Sequence, residues 1–100
     1  MFIAILDFTT HPDDRPRAMA QLAAEQPEVR SMPGCIGFRA FASPEDDGAI
    51  TVLHEWQDES SFANYLASDA FVRSGQVLRP LMAGSPLSRR FRAELQEVVV

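Results

Sequence analysis

His54 and Trp56 stand two residues apart in the run Ile50-Thr51-Val52-Leu53-His54-Glu55-Trp56. An imidazole, with an ordinary pKa of about 6.5, is the side chain in this sequence suited to deprotonating a phenol or enol near neutral pH. In a strand a spacing of two puts both side chains on one face. The Trp56 indole can then stack on a flat aromatic substrate and donate its one N–H. Downstream, Tyr65 can orient a substrate hydroxyl or carbonyl, with Phe62 in line with it and Asn64 beside it. Asp7 interrupts an otherwise apolar stretch, where a carboxylate needs a partner or a polar cavity, and Arg39 and Arg73 are the possible counter-charges. The expected site therefore has His54, Trp56 and Tyr65 as catalytic groups and Asp7, Phe62, Asn64 and Arg73 as substrate contacts. Each also has a purely structural alternative: a core plug for Trp56, a hydrogen-bonded strand histidine for His54, a core aromatic with a surface hydroxyl for Tyr65.

The elements that must position these groups follow from periodicity. Ile50, Val52, His54 and Trp56 alternate with Thr51, Leu53 and Glu55, a strand whose two faces meet different surroundings. Asp58 offers an N-cap oxygen to a helix carrying Phe62, Tyr65 and Leu66, and Ser68 or Asp69 caps a second one with Phe71, Gly75, Leu78 and Met82 along one side. Upstream, Phe2 to Phe8 is a strand apolar on both faces, with Phe2, Ala4, Leu6 and Phe8 against Ile3, Ile5 and Asp7. A helix starts near Asp14 with Pro16 in its first turn and carries Met19, Leu22 and Ala23 on one side; Pro27 is expected to break or restart it. Pro33-Gly34 marks a turn. Cys35 to Ala42 then alternates Ile36, Phe38, Ala40 and Ala42 against Cys35, Gly37, Arg39 and Phe41, and Asp47-Gly48 signals a hairpin into the next strand. Arg89 to Val99 reads as the last strand. The order strand, helix, strand, strand, helices, strand is the split βαββαβ arrangement of an α+β, ferredoxin-like fold, with the helices on one face of an antiparallel sheet. Because the first strand is apolar on both faces and Val98 to Val100 form an apolar tail, a second copy is the economical cover, and a homodimer with facing sheets is expected.

Composition bounds the rest. One hundred residues make a single domain, residues 1–100, and 46% hydrophobic residues suffice for a core. The single cysteine, Cys35, rules out an internal disulfide, and the lack of a leader-like start or long apolar run gives the expectation of a cytoplasmic protein without a membrane span. A net charge of -5 argues against nucleic acid, despite the cluster Arg89, Arg90 and Arg92, which reads as a solvated strand face or an edge between subunits. His11 and His54 lie 43 positions apart with no Cys/His cluster, so no metal site is expected. Neither a dinucleotide loop nor a phosphate loop is present.

Glu55-Trp56 followed by Phe62, Leu66, Ser68 and Phe71 resembles the central signature of the antibiotic biosynthesis monooxygenase family. There a tryptophan closes the third strand and a helix follows with a leucine-like residue and commonly a histidine; Tyr65 occupies the matching position here. Pro33-Gly34-Cys35-Ile36-Gly37-Phe38 is similar to that family's entrance to its second strand. The resemblance implies a dimeric α+β barrel and the oxidation of flat phenolic, quinol or polycyclic aromatic compounds by O2 without a cofactor. Ser61 to Phe71 also looks like a haem-degrading branch, but Gly75 stands where that branch has its axial histidine, and Asp7 loosely matches its strand-one asparagine. The asparagine that accompanies the tryptophan in the cofactor-free oxygenases is absent or replaced here, the nearby same-face positions being Val52 and His54. The alternatives are a non-catalytic dimeric binder or sensor of a small hydrophobic metabolite, and a dimerisation domain.

Overall fold

The computed structural model describes residues 1–100. Four strands, β1 (Phe2–Thr9), β2 (Cys35–Ala42), β3 (Ala49–Trp56) and β4 (Leu87–Arg92), form one antiparallel sheet in the order β2-β3-β1-β4. Helices α1 (Arg15–Arg30), α2 (Glu59–Leu66) and α3 (Asp69–Leu78) cover one face, giving the expected α+β, ferredoxin-like architecture. None of them is long and apolar enough to cross a membrane.

The core lies between sheet and helices. β3 alternates as expected, with Ile50, Val52, His54 and Trp56 all buried, and β1 adds Phe2, Ala4 and Phe8 from the same side. On α1 the buried residues are Ala18, Leu22, Glu25 and Val29, a spacing of four, three and four that makes one continuous stripe. The expected grouping of Met19, Leu22 and Ala23 is therefore displaced, and Ala23 is exposed. Nor does Pro27 break the helix, which runs on to Arg30. Proline removes the bond to the carbonyl four residues back, which belongs to the exposed Ala23, so water can satisfy it. The fully buried Val29 and a Gln26 Nε2 bond to the Phe38 carbonyl at 2.7 Å hold the last turn in place.

Two other expectations shift. The register of β2 against β3 slips between Cys35 and Gly37, so Cys35 pairs with Trp56 and packs on the core while Ile36 is 51% exposed. β4 ends at Arg92, and Leu95 and Val98 to Val100 lie exposed beyond it, because Phe2 at the end of β1 leaves no further partner.

The turns carry the chemistry their residues allow. Asp58 caps α2 by accepting from Ser61 N at 2.8 Å, and Ser68, rather than Asp69, caps α3 by accepting from Phe71 N at 3.2 Å. These caps fix the strand-to-helix corner that follows Trp56. α3 ends at Leu78 and a single 3-10 turn follows, which leaves Met82 beyond the helix. In the β2–β3 hairpin Gly48 has no positive φ; it is needed for space, since a Cβ there would lie 2.1 Å from the Thr10 carbonyl oxygen.

The outer face of the sheet has no helix on it. Ile3, Ile5 and Leu53 lie at its centre, half-buried, with Phe41, Leu87 and Phe91 exposed around them.

Candidate active site

A cavity of about 240 Å³ opens between the sheet and the helices. Leu6, Phe38, Val52 and His54 form its sheet wall; Leu22 and Glu25 of α1, Phe62, Tyr65 and Leu66 of α2, and Phe71, Ser74, Gly75 and Leu78 of α3 form its helix wall. The exposed side chains of Arg79, Ser88 and Arg90 rim it.

His54 is 5% exposed and ringed by Phe38, Phe62 and Tyr65 at 5.4 to 5.6 Å between ring centres. Burial, and secondarily the positive charge of Arg90, push its pKa down to about 4. The imidazole is thus neutral at pH 7. Trp56 Nε1 donates to His54 Nδ1 at 2.9 Å, and because an indole nitrogen is only a donor, Nδ1 must carry the lone pair and Nε2 the hydrogen. No protein group pairs with Nε2, yet no side-chain nitrogen is sealed without a partner, so Nε2 opens onto the cavity. His54 therefore offers the cavity an N–H donor. The lone pair that a general base would need is the one Trp56 occupies.

Trp56 itself is wholly buried and absent from the cavity wall. It stacks on Tyr65 with ring centres 5.3 Å apart and acts on the site through His54. Tyr65 does line the cavity; burial first, then the nearby Glu25 and Cys35, raise its pKa far above the ordinary tyrosine value, so it remains a phenol. Phe62 lines the cavity as well, with the Arg90 guanidinium 5.0 Å above its ring.

Three of the expected contacts lie elsewhere. Asp7 faces the outer side of the sheet, where it accepts from Thr51 Oγ1 and pairs with Arg89 at 3.3 Å, so neither Arg39 nor Arg73 is its counter-charge. Arg39 approaches Glu55 instead. Arg73 holds Glu28 on the surface at 2.8 Å, and Asn64 is exposed.

Sequence reasoning also passed over Glu25, Ser74, Arg79 and Arg90. Glu25 was detectable as the one charged residue on the Ala18-Leu22-Val29 stripe. Arg90 required strand parity: it pairs with the buried Ala4, while Arg89 pairs with Ile5 of the outer face, so the arginine cluster divides between the two sides. No three His, Cys, Asp or Glu side chains converge as a metal-ligand set.

Comparison with known proteins places this geometry. No curated protein matches the chain. A Deinococcus radiodurans protein classed with the antibiotic biosynthesis monooxygenases superposes with a TM-score of 0.89 at 13% identity, over 100% of this chain and 99% of its own. A Caulobacter crescentus protein of the same class gives 0.88 at 19% identity, over 94% and 90%. A conserved protein from Methanosarcina mazei Go1 gives 0.87 at 20% identity, over 93% and 92%. At such identities these likenesses show the fold alone. The sequence model for antibiotic biosynthesis monooxygenase, however, matches residues 1–74, nearly three quarters of the sequence, and the chain belongs to that family.

Proposed function

We propose that this protein is a cofactor-independent monooxygenase acting on a small phenolic or quinol-type aromatic. The observation that carries the reading is His54, a buried neutral N–H donor aimed into an aromatic-lined cavity. An electron-rich phenolate can itself reduce O2, so the protein need only exclude water, orient the substrate and manage its protons. A ring carrying a hydroxyl and an adjacent or opposite C–H gives up four electrons to O2; one oxygen atom enters the ring as a quinone carbonyl and the other leaves as water, with the two hydrogens lost from the substrate. In this scheme His54 Nε2–H donates to the oxygen on which negative charge collects, Trp56 positions that imidazole, and the Tyr65 phenol supplies a second hydrogen bond. The volume favours small substrates: a 150 Å³ apolar cavity holds one benzene, so about 240 Å³ suits one substituted ring or two fused rings.

The test is O2 uptake with substituted hydroquinones and naphthols, repeated in ¹⁸O2. The expected result is one O2 consumed per substrate, with one labelled atom in the product. Binding without uptake favours the alternative, a binder of a small aromatic metabolite; uptake that releases hydrogen peroxide without labelling the product refutes the monooxygenase.

The bare outer face supports a homodimer. Its apolar centre of Ile3, Ile5 and Leu53, with exposed Phe41, Leu87 and Phe91 around it, is a surface that a second sheet would cover, and the like-placed pairs Arg39–Glu55 and Arg89–Asp7 would flank the contact.

A further inference from the structure

The chemistry proposed above needs a proton acceptor, and the geometry of His54 makes it a donor. We propose that Glu25 receives the hydroxyl proton of the substrate, and that the cavity thereby selects one- or two-ring aromatics carrying an ionisable hydroxyl. The inference rests on the monooxygenase reading of the same cavity.

Glu25 is 8% exposed and lies on the apolar stripe of α1, where it is the one carboxylate in the cavity wall. Its partners are two neutral donors: Ser74 Oγ to Oε1 at 3.0 Å and Gln21 Nε2 to Oε2 at 3.2 Å. No arginine comes within ion-pair distance of it. Stability does not account for such a group, since a buried carboxylate without a cation is costly and an apolar residue would complete the stripe at no such cost. Each carboxylate oxygen accepts one protein hydrogen bond and keeps a further acceptor site for a substrate O–H.

The groups that act on Glu25 are Ser74 from α3 and Tyr65 from α2, with Gln21 and Glu28 on its own helix, while Arg79 after α3, His54 of β3 and Arg90 of β4 share its cavity wall. Burial is the largest influence and raises its pKa above the ordinary carboxylate value; the bonds from Ser74 and Gln21 lower it, and Glu28 adds a smaller upward push. A carboxylate so placed is a better match to a phenol, whose pKa is about 10, than an exposed one. In the step, the substrate O–H bond breaks, its electron pair stays on the oxygen as phenolate, and the proton forms a carboxylic acid on Glu25. Net charge is unchanged. The proton returns when the departing oxygen leaves as water.

The test uses 4-nitrophenol, buffered about 1.5 units below its own pKa so that the free compound is neutral, because its absorption then moves toward the phenolate band only as its proton is shared, with 4-nitroanisole as the analogue lacking that proton. With wild type, the bound phenol should shift toward the phenolate band and bind at least tenfold tighter than the anisole. With Glu25→Gln the bound band should stay at the neutral position, and any O2-consuming turnover should fall on the order of 10²-fold or more, with KM changing by only a few-fold. Equal binding of phenol and anisole to wild type, no phenol binding at millimolar concentration, or an undiminished band shift in Glu25→Gln would each overturn the inference. The wild-type comparison needs no variant to fold. If no compound consumes O2, the monooxygenase reading fails while the spectral shift still decides the role of Glu25.

Discussion

Acidification from pH 7.5 to 5 should cost the folded protein about 2 kcal/mol through His54 alone. The unfolded histidine binds its proton near pH 6.5 and the folded one near 4. Between these values the unfolded state holds more protons, so the contribution is fully present above 6.5 and lost as pH falls toward 4. At 1.36 kcal/mol per pH unit the whole window is worth about 3 kcal/mol, a large share of the roughly 5 to 15 kcal/mol of a typical domain. By pH 5 the loss is equivalent to about 10 °C in Tm for a domain of this size. Glu25 works in the opposite sense: its raised pKa contributes stability that is present below its ordinary value of 4.5 and lost as pH rises through the folded value. Asp58, held low by its bonds from Ser61, loses its contribution only below about pH 4. His54→Gln isolates the titration, because it puts a neutral amide of similar length in the pocket and leaves no group there that ionises in this range. The assay is urea unfolding at a series of pH values, followed through the fluorescence of Trp56, the single tryptophan and wholly buried. A folded His54 that titrates near 6.5 by NMR, or a His54→Gln variant with the wild-type slope, would refute the reasoning.

Four further outcomes can be checked directly. Trp56→Phe removes the N–H that pins His54 Nδ1, and leaving that buried acceptor unpaired should cost about 1 to 3 kcal/mol; ¹⁵N spectra of the imidazole should show the proton no longer confined to Nε2. Leu53→Glu puts a carboxylate at the centre of the bare sheet face and should convert the proposed dimer to a monomer in sedimentation experiments, with the helical content unchanged. Gly48→Ala should destabilise strongly, since its Cβ would meet the Thr10 carbonyl at 2.1 Å. Gly75→Ala meets only the flexible Arg79 side chain at 3.3 Å and should stabilise α3 by about 0.5 to 1 kcal/mol while narrowing the cavity, a contrast that thermal melts of the two variants resolve.

Most of the architecture was legible because its signals are local. The alternation ending at Trp56, the caps at Asp58 and Ser68 and the turn at Pro33-Gly34 each need only a few neighbouring residues. Pro27 misled because whether proline ends a helix depends on the exposure of Ala23 and the burial of Val29, which only the tertiary packing sets. The site was half legible: His54, Tyr65 and Phe62 do meet on one cavity. Asp7 misled because a carboxylate in an apolar strand can face either side of the sheet, and its partner Arg89 comes from the far end of the chain. That Nε2 is the His54 nitrogen left free with its hydrogen could not be read from sequence, since it depends on which ring nitrogen Trp56 reaches.

β4 has all six residues exposed, pairs on one side only, with β1, and carries Ser88 and Arg90 at the cavity rim. Such an edge opens at a lower free energy than the central strands. Amide exchange along β4 should therefore be fast beside that of β3, which is paired on both sides. The way into the cavity would then be timed by local opening of this edge, and the rate at which an aromatic enters would follow the strength of the β1–β4 pairing while the stability of the whole domain stayed the same.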